Sequence, residues 1–358
     1  MSLHLWLRAE SKPGEERAPV TPAGARRLLE RGVHLTVERS AQRVFADDEY
    51  EAAGAALAPT GAWEQAPADA VVLGIKELPT DSAPLRHRHV YFAHAFKEQK
   101  GWRELLRRFQ DGGGALYDLE YLKQGDGRRV AAFGYWAGYV GAAVGVLAVA
   151  HLRSGAAGPL PALTPWATRA ALLEECSRAL AGAPAPASIV LGAKGRSGSG
   201  ATAALTALGA SITALDLEET RAGGPFDALL AHELFVNAVL VMGPMRPFVT
   251  REQLVQAGAR RRLMVIADVS CDPRSPHNPV PLYDDTTTLE RPTVRAIGGR
   301  GDIAPLDVVA IDHLPSLLPR ESSEDFAEQL LPHLLELAQG SPVWRGAEQV
   351  FQDKLAQL

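Results

Sequence analysis

Residues able to do chemistry gather at four places in the first third of this chain. Lys12 and Arg17 follow one apolar run, Lys76 and Glu77 a second, His94 and Lys97 a third, and Asp118 with Glu120 a fourth. A histidine beside lysines and carboxylates suits proton transfer near neutral pH, because charge and burial move its pKa and that of a nearby lysine. Fixed cations also suit a substrate that carries several carboxylates. Taken alone, His94 reads more readily as a hydrogen-bonded core imidazole; Lys76 and Lys97 at matching positions turn the reading towards acid–base work. His87 and His89 fall in a polar stretch and are expected to face solvent.

A second chemical feature lies beyond the middle. The run SIVLGAKGRSGSG, from Ser188, places an apolar strand before a glycine-rich turn that opens a helix, with Gly192, Gly195 and Gly198 spaced GxxGxxG. Small residues there let the backbone approach a pyrophosphate, whose charge is met by amides at the helix N-terminus. The spacing departs from GxGxxG, and a plain glycine-rich loop is the alternative. Asp216 supports the dinucleotide reading. It falls at the end of the next strand, where a carboxylate accepts hydrogen bonds from a ribose diol and repels a 2′-phosphate. The implied cofactor is NAD rather than NADP; a solvated strand-end carboxylate is the alternative for Asp216.

The elements that would hold these residues alternate. Strands are expected at residues 3–7, 33–37, 70–75, 90–93 and 115–117, with helices opening at Thr21-Pro22, over 47–53 and over about 98–110. Runs this short and uniformly apolar suit a parallel sheet covered on both faces, and the carboxyl ends of parallel strands line one crevice. Four charged strand ends on one edge are hard to explain as packing. An apolar stretch over 135–150 carries three glycines and is short for a membrane span, so it reads as a buried helix. A Gly/Pro-rich segment follows at 154–165, but the apolar helix is assigned to the second domain, which sets the crossover near 129–133. Alternation restarts with strands at 188–191, 211–215, 234–236, 263–267, 293–296 and 308–311, a helix from about Ser199, and a helical tail over 324–358. The expected fold is α/β, with two doubly wound domains: residues 1–131 plus 322–358 for substrate and catalysis, and 132–321 for the nucleotide.

Bulk composition narrows the function further. With 358 residues, 46% apolar and 22% charged, the chain is an ordinary globular protein large enough for two cores. A net charge of −5 argues against a general nucleic-acid binder. Cys176 and Cys271 lack any CxxC or Cys/His ligand spacing, so neither a disulfide nor a metal site is expected. Arg8, Glu10 and Lys12 interrupt the N-terminus before an apolar leader could form, and a soluble, cytoplasmic protein is expected.

Several long segments resemble the fungal-type saccharopine dehydrogenases that form lysine and use NAD, and the resemblance covers nearly the whole chain. They include LRAESKPGEERAPVTP from Leu7, GIKELP from Gly74, FAHAFKEQKGW from Phe92, GRRVAAFGYWAGYVGAA from Gly127, DVSCDPRSPHNPVP from Asp268 and IDHLPSLLPRESS from Ile311. A looser likeness to alanine dehydrogenases, through Lys12, Arg17 and Thr21-Pro22, is confined to the first domain. The resemblance implies two Rossmann-like domains with a cleft between them. It implies oxidation of saccharopine by NAD to an imine, then hydrolysis to lysine and 2-oxoglutarate. Lys76 would take the proton of the secondary amine, and His94 would serve attack of water and collapse of the carbinolamine. Glu77 and Glu120 would tune those groups. Arg17, Lys97, Arg129, Phe133 and the loop Ser270, Cys271, Asp272 match substrate positions. Arg128, Gly192, Gly195, Arg196, Ser197, Asp216, Thr220, Val269, Ile311, Asp312, His313 and Leu314 match cofactor positions. The chain departs from the family at Ser197, usually cysteine, at Ala222 within Thr220–Gly224, usually TSRGG, and at Leu240, usually aromatic. A related opine-type dehydrogenase with another amino acid and oxo acid would use the same catalytic residues. A catalytically silent NAD-binding protein would need neither Lys76 nor His94. Small molecules are the expected partners, with no nucleic acid or membrane; oligomeric state is left open, with a monomer compatible.

Overall fold

The short apolar runs of the first third become the strands of one parallel sheet. The structure, a computed structural model, describes residues 3–79, 81–97, 99–241, 243–301 and 303–358. It divides into two compact units, Met1–Ala132 with Pro319–Leu358, and Phe133–Leu318.

In the first unit β1 (His4–Leu7), β2 (His34–Glu38), β3 (Ala56–Ala58), β4 (Val71–Leu73), β5 (Arg88–Tyr91) and β6 (Ala115–Asp118) form a sheet in the order β3-β2-β1-β4-β5-β6. Every pairing is parallel, so all the strands end on one edge. The order reverses beside β1, which makes the β1/β4 region the switch point where ligands bind in open α/β sheets. Helix α1 (Pro22–Glu30) starts where Thr21 Oγ1 accepts the Gly24 amide at 3.1 Å, with proline at the first helical position. Helix α2 (Asp47–Ala52) is pinned by the Tyr50 hydroxyl donating to Val20 O at 2.6 Å. Helix α3 (Trp102–Gly112) begins later than expected because Gly101, at φ +86°, interrupts any helix entering from the preceding turn. Glu98, the expected start, lies outside the described residues. Strand β3 had too few residues and too little β-branching to be anticipated.

The expectation that His87 and His89 face solvent is overturned. Both are buried, at 5% and 0% exposure. Residues 88–91 are β5, a central strand, and its inward position gives His89 to the Trp63 and Phe109 rings at 5.1 and 5.5 Å between centroids. The His87 ring meets Ala66 O at 3.0 Å. Polar neighbours in sequence disguised the strand, because alternate residues of a strand point to opposite faces.

The second unit opens with α4 (Gly134–Arg153), followed by α5 (Arg169–Leu180). Helix α4 is apolar and long enough to cross a membrane by length and composition, but 78% of its apolar window is buried inside the protein. It is a core helix. Then come β7 (Ser188–Leu191), α6 (Arg196–Ala207), β8 (Ile212–Leu215), α7 (Leu217–Thr220), β9 (Leu234–Asn237), α8 (Arg251–Ala257), β10 (Val265–Asp268), β11 (Val294–Ile297) and β12 (Leu306–Val309). The sheet runs β11-β12-β10-β9-β7-β8, parallel except for β11 at one edge. Helices α9 (Pro319–Glu336) and α10 (Pro342–Leu355) return to the first unit. There the Ala18 amide donates to Ser323 Oγ at 3.0 Å, and Phe351 meets Phe109 edge-on at 5.9 Å.

Helices α4 and α6 cross at backbone contact. A Cβ at Gly138 would fall on the Ser197 carbonyl, and one at Gly200 on the Tyr135 carbonyl. Neither backbone can yield as a side chain would. G138A is therefore expected to destabilise the second unit by about 3 kcal/mol, read as a lower urea midpoint; an unchanged midpoint would show that the helices separate freely.

Candidate active site

The carboxyl edge of the first sheet collects the ionisable residues singled out in the sequence. After β1, Glu15 is 3% exposed and Arg17 4% exposed. Glu15 accepts three bonds from Arg17: from its amide at 3.1 Å, its Nε at 2.7 Å and its Nη2 at 2.6 Å. Burial pushes the Glu15 carboxyl up, but the Arg17 guanidinium more than reverses this and leaves it below the ordinary value. After β4 comes Lys76, half-buried. Burial, reinforced by the charges of Arg17 and Lys12, pulls its pKa down against the opposing pull of Glu15 and Glu77. A lysine so placed holds a larger neutral fraction and can accept a proton.

After β5 the chain turns sharply at His94, which adopts φ +53°. For a non-glycine residue this left-handed conformation is uncommon and marks a position held by its surroundings. The His94 ring stacks on Phe92 at 6.3 Å. Its Nδ1 lies 3.3 Å from Glu120 Oε2, and its Nε2 is 3.8 Å from Glu77 Oε1. Lys97 Nζ donates to Glu120 Oε1 at 2.6 Å. Glu120 is thus shared between an imidazole and an ammonium, and the hydrogen bond from His94, with that from Lys97, pulls its pKa to about 2 against the effect of burial. Behind it, the Asp118 carboxyl is pushed up to about 6, chiefly by burial, although it accepts the Glu120 amide at 2.9 Å. A cavity of about 300 Å³ opens beside His94, with Glu77, Tyr91, Trp102 and Arg108 among its walls.

The structure therefore joins Glu77, His94, Lys97 and Glu120 into one contact network, and couples Lys76 electrostatically to Arg17 and Glu15. Arg128 and Arg129 are exposed; Arg128 Nε is held by Asp126 Oδ2 at 2.6 Å, and Arg129 forms an isolated bridge with Lys123. Phe133 caps the start of α4 in the second unit. Sequence reasoning passed over Glu15 and Glu10. Their one visible signal is that they are carboxylates interleaved with Arg8, Lys12 and Arg17.

In the second unit the predicted cofactor residues sit at the carboxyl edge of the other sheet. Gly192, at φ +78°, turns the chain out of β7, and a Cβ at Gly198 would fall on the Gly192 carbonyl. Gly195 takes the N-cap position of α6, with no side-chain hydrogen bond capping the helix; the start of a helix is where backbone amides suit an anion. Asp216 accepts the Lys194 amide at 2.8 Å and the Leu217 amide at 2.7 Å, tying the end of β8 to the turn. The Thr220 hydroxyl donates to Asp216 O at 2.8 Å. Leu240 is exposed. At the end of β10, the buried Asp268 accepts from Asn237 at 2.9 Å, from the Tyr283 hydroxyl at 2.8 Å and from the Cys271 amide at 3.2 Å. That network orients Val269, Ser270, Cys271 and Asp272. Ser270 Oγ donates to Val239 O at 2.8 Å, and Cys271 is held at φ +32°. Gly141 brings α4 against this loop and the next: a Cβ there would lie 2.7 Å from Val269 and 3.1 Å from Leu314. Ile311 bridges Thr287, and Asp312 pairs with His313 at 2.6 Å. The glycine turn, the helix start beyond it and the strand-end carboxylate together fit a dinucleotide. Among the described residues no cluster of ligating side chains fits a metal.

Residues 6–140 match the alanine dehydrogenase/PNT N-terminal domain family. The chain is 44% identical over 367 residues to a saccharopine dehydrogenase [NAD(+), L-lysine-forming] of Schizosaccharomyces pombe, covering 99% of each. It is 45% identical over 368 residues to the protein of the same name from Emericella nidulans, covering 99% of this chain and 98% of that one. Among solved structures, an L-alanine dehydrogenase aligns at a TM-score of 0.68 and 18% identity, over 98% of this chain and 94% of that chain.

The Glu120 contacts predict an acid dependence. Since its pKa lies near 2 in the fold and at 4.5 ordinarily, its contribution to stability is full above 4.5 and lost as the pH falls towards 2. E120Q has no such contribution to lose. Urea midpoints measured across that range are expected to fall less steeply with pH for E120Q than for the wild type; parallel slopes would show that His94 and Lys97 do not hold the carboxylate.

Proposed function

The chain belongs to the family of NAD-dependent, lysine-forming saccharopine dehydrogenases, and from that membership we propose that it oxidises saccharopine reversibly to L-lysine and 2-oxoglutarate. The observation that carries the reading at the level of residues is Lys76, a lysine with lowered pKa, on the same sheet edge as His94 held between Glu77 and Glu120. NAD would supply the hydride acceptor; the turn of Gly192, Gly195, Arg196 and Ser197 would hold its pyrophosphate and Asp216 its ribose, and by the family resemblance Thr220, Val269, Ile311, Asp312, His313, Leu314 and Arg128 would complete the set.

Lys76, as the neutral amine, accepts the proton of the secondary amine as the adjacent C–H bond gives up its hydride, which leaves a C=N imine. His94 then takes a proton from water as the oxygen attacks the imine carbon and forms a carbinolamine. Lys76 gives its proton to the imine nitrogen as the carbinolamine forms, and the protonated His94 gives a second to that nitrogen as the C–N bond breaks. The hydroxyl proton passes to the neutral Lys76 amine as the carbon becomes the carbonyl of 2-oxoglutarate. Glu120 and Glu77 stand on either side of the imidazole and fix the direction of its ring for these transfers. By the family resemblance, Arg17, Lys97, Arg129, Phe133, Ser270, Cys271 and Asp272 would be the residues that contact the substrate. The protein acts as a soluble, cytoplasmic enzyme, consistent with the burial of its long apolar helix.

Turnover tests this. NADH formation is expected with saccharopine in preference to other secondary-amine dicarboxylates; good turnover of another opine with none of saccharopine would overturn the substrate assignment. K76M and H94Q are each expected to lower turnover by about 100-fold or more, and wild-type rates in both would remove the assigned roles.

A further inference from the structure

The catalytic lysine stands on a short segment after β4, and its backbone is gripped from both sides by side chains of the loop after β1. The Glu10 carboxylate accepts the Ile75 amide at 2.6 Å and the Lys76 amide at 3.0 Å. The Arg8 guanidinium donates to the Lys76 carbonyl, to Ala9 O at 3.2 Å and to Glu10 itself at 3.3 Å. The N–H and the C=O of Lys76 are therefore both bound by ionic side chains. On the opposite strand the Phe92 amide donates to Ile75 O at 3.0 Å, closing the third side. We propose that Arg8 and Glu10 are positioning residues, a buried clamp that sets the backbone of Lys76 and so aims its amine.

Three observations support a role beyond packing. Both groups are deeply buried, with side chains 1% and 6% exposed, where a well-packed apolar pair would often be as stable as an ion pair. Keeping the charges is explained by what they hold. Residue 74 is glycine, and a Cβ there would lie 2.5 Å from Arg8 Cζ, so the strand end has been left bare for the guanidinium to reach the Lys76 carbonyl. The loop is itself tied down, since Gln42 Nε2 donates to Glu10 O at 2.8 Å and to Lys12 O at 3.2 Å. The clamp works by geometry: after burial, the charges that move the Lys76 pKa are Arg17, Glu15, Lys12 and Glu77.

The inference rests on Lys76 being the base, and a double-mutant cycle separates the two claims. E10Q keeps the shape of Glu10 but turns one acceptor into a donor facing a backbone N–H. R8K keeps the charge and loses the fork. Each is expected to lower kcat about 30–100-fold, with KM for NAD changed by no more than about twofold. Introduced into K76M, either should cost nothing further, because the group it positions is gone. R8K carries the same test if E10Q does not fold. Equal losses in the wild-type and K76M backgrounds would overturn the clamp and leave the base assignment standing. Wild-type kcat in E10Q and R8K would also overturn it. Wild-type turnover in K76M would overturn the base assignment and the clamp with it.

Discussion

Like charges crowd the end of the first sheet, and the rest of that unit is arranged around tolerating them. Arg17 and Lys12 both repel the charge on Lys76, and burial makes that charge more costly. At Lys76 burial lowers the pKa, and the repulsion adds to that effect. Elsewhere it is offset locally: Glu15 takes three bonds from Arg17, Glu120 binds Lys97 and His94, and Glu10 is covered by Arg8 and two backbone amides. A site that binds a polycarboxylate and also needs a neutral amine requires this combination of fixed cations and partial compensation.

The second unit solves a different problem, close approach of backbones. The glycine run proposed above for a pyrophosphate also lets α6 cross α4. Gly198 faces the turn, where a side chain would strike Gly192 O, while Gly200 faces Tyr135 O on α4. One run of sequence thus serves both binding and helix packing. At the end of β10, beyond β9 from the glycine turn, the buried Asp268 orients the loop through Cys271 with hydrogen bonds from Asn237, Tyr283 and Cys271.

Much of the architecture was legible because it depends on local chemistry. Thr21-Pro22 announces α1, Ser188–Leu191 reads as β7 from its uninterrupted apolar run, and the paired α/β alternations lead to two doubly wound sheets. The errors have a common cause. His89 was read as exposed from its neighbours in the chain, whereas its burial is set by Trp63 and Phe109, which are distant in sequence. The start of α3 was misplaced because Gly101 could have continued a helix or broken it, and its φ is a property of the folded turn.

The sequence by itself determined which charged residues stand at strand ends, which turn can approach a phosphate, and the family whose long motifs the chain carries. Those are consequences of residue type and spacing along one dimension. The tertiary structure decided which carboxylate serves which cation. Glu120 could have paired with any of several lysines, and only the parallel register of β5 beside β6 brings it to His94 and Lys97. Glu10 looked like one more charge in a polar loop until β1 and β4 lay side by side and set its carboxylate against the Lys76 amide. Electrostatic partnership falls off with distance in space, and distance in space is what the sheet creates.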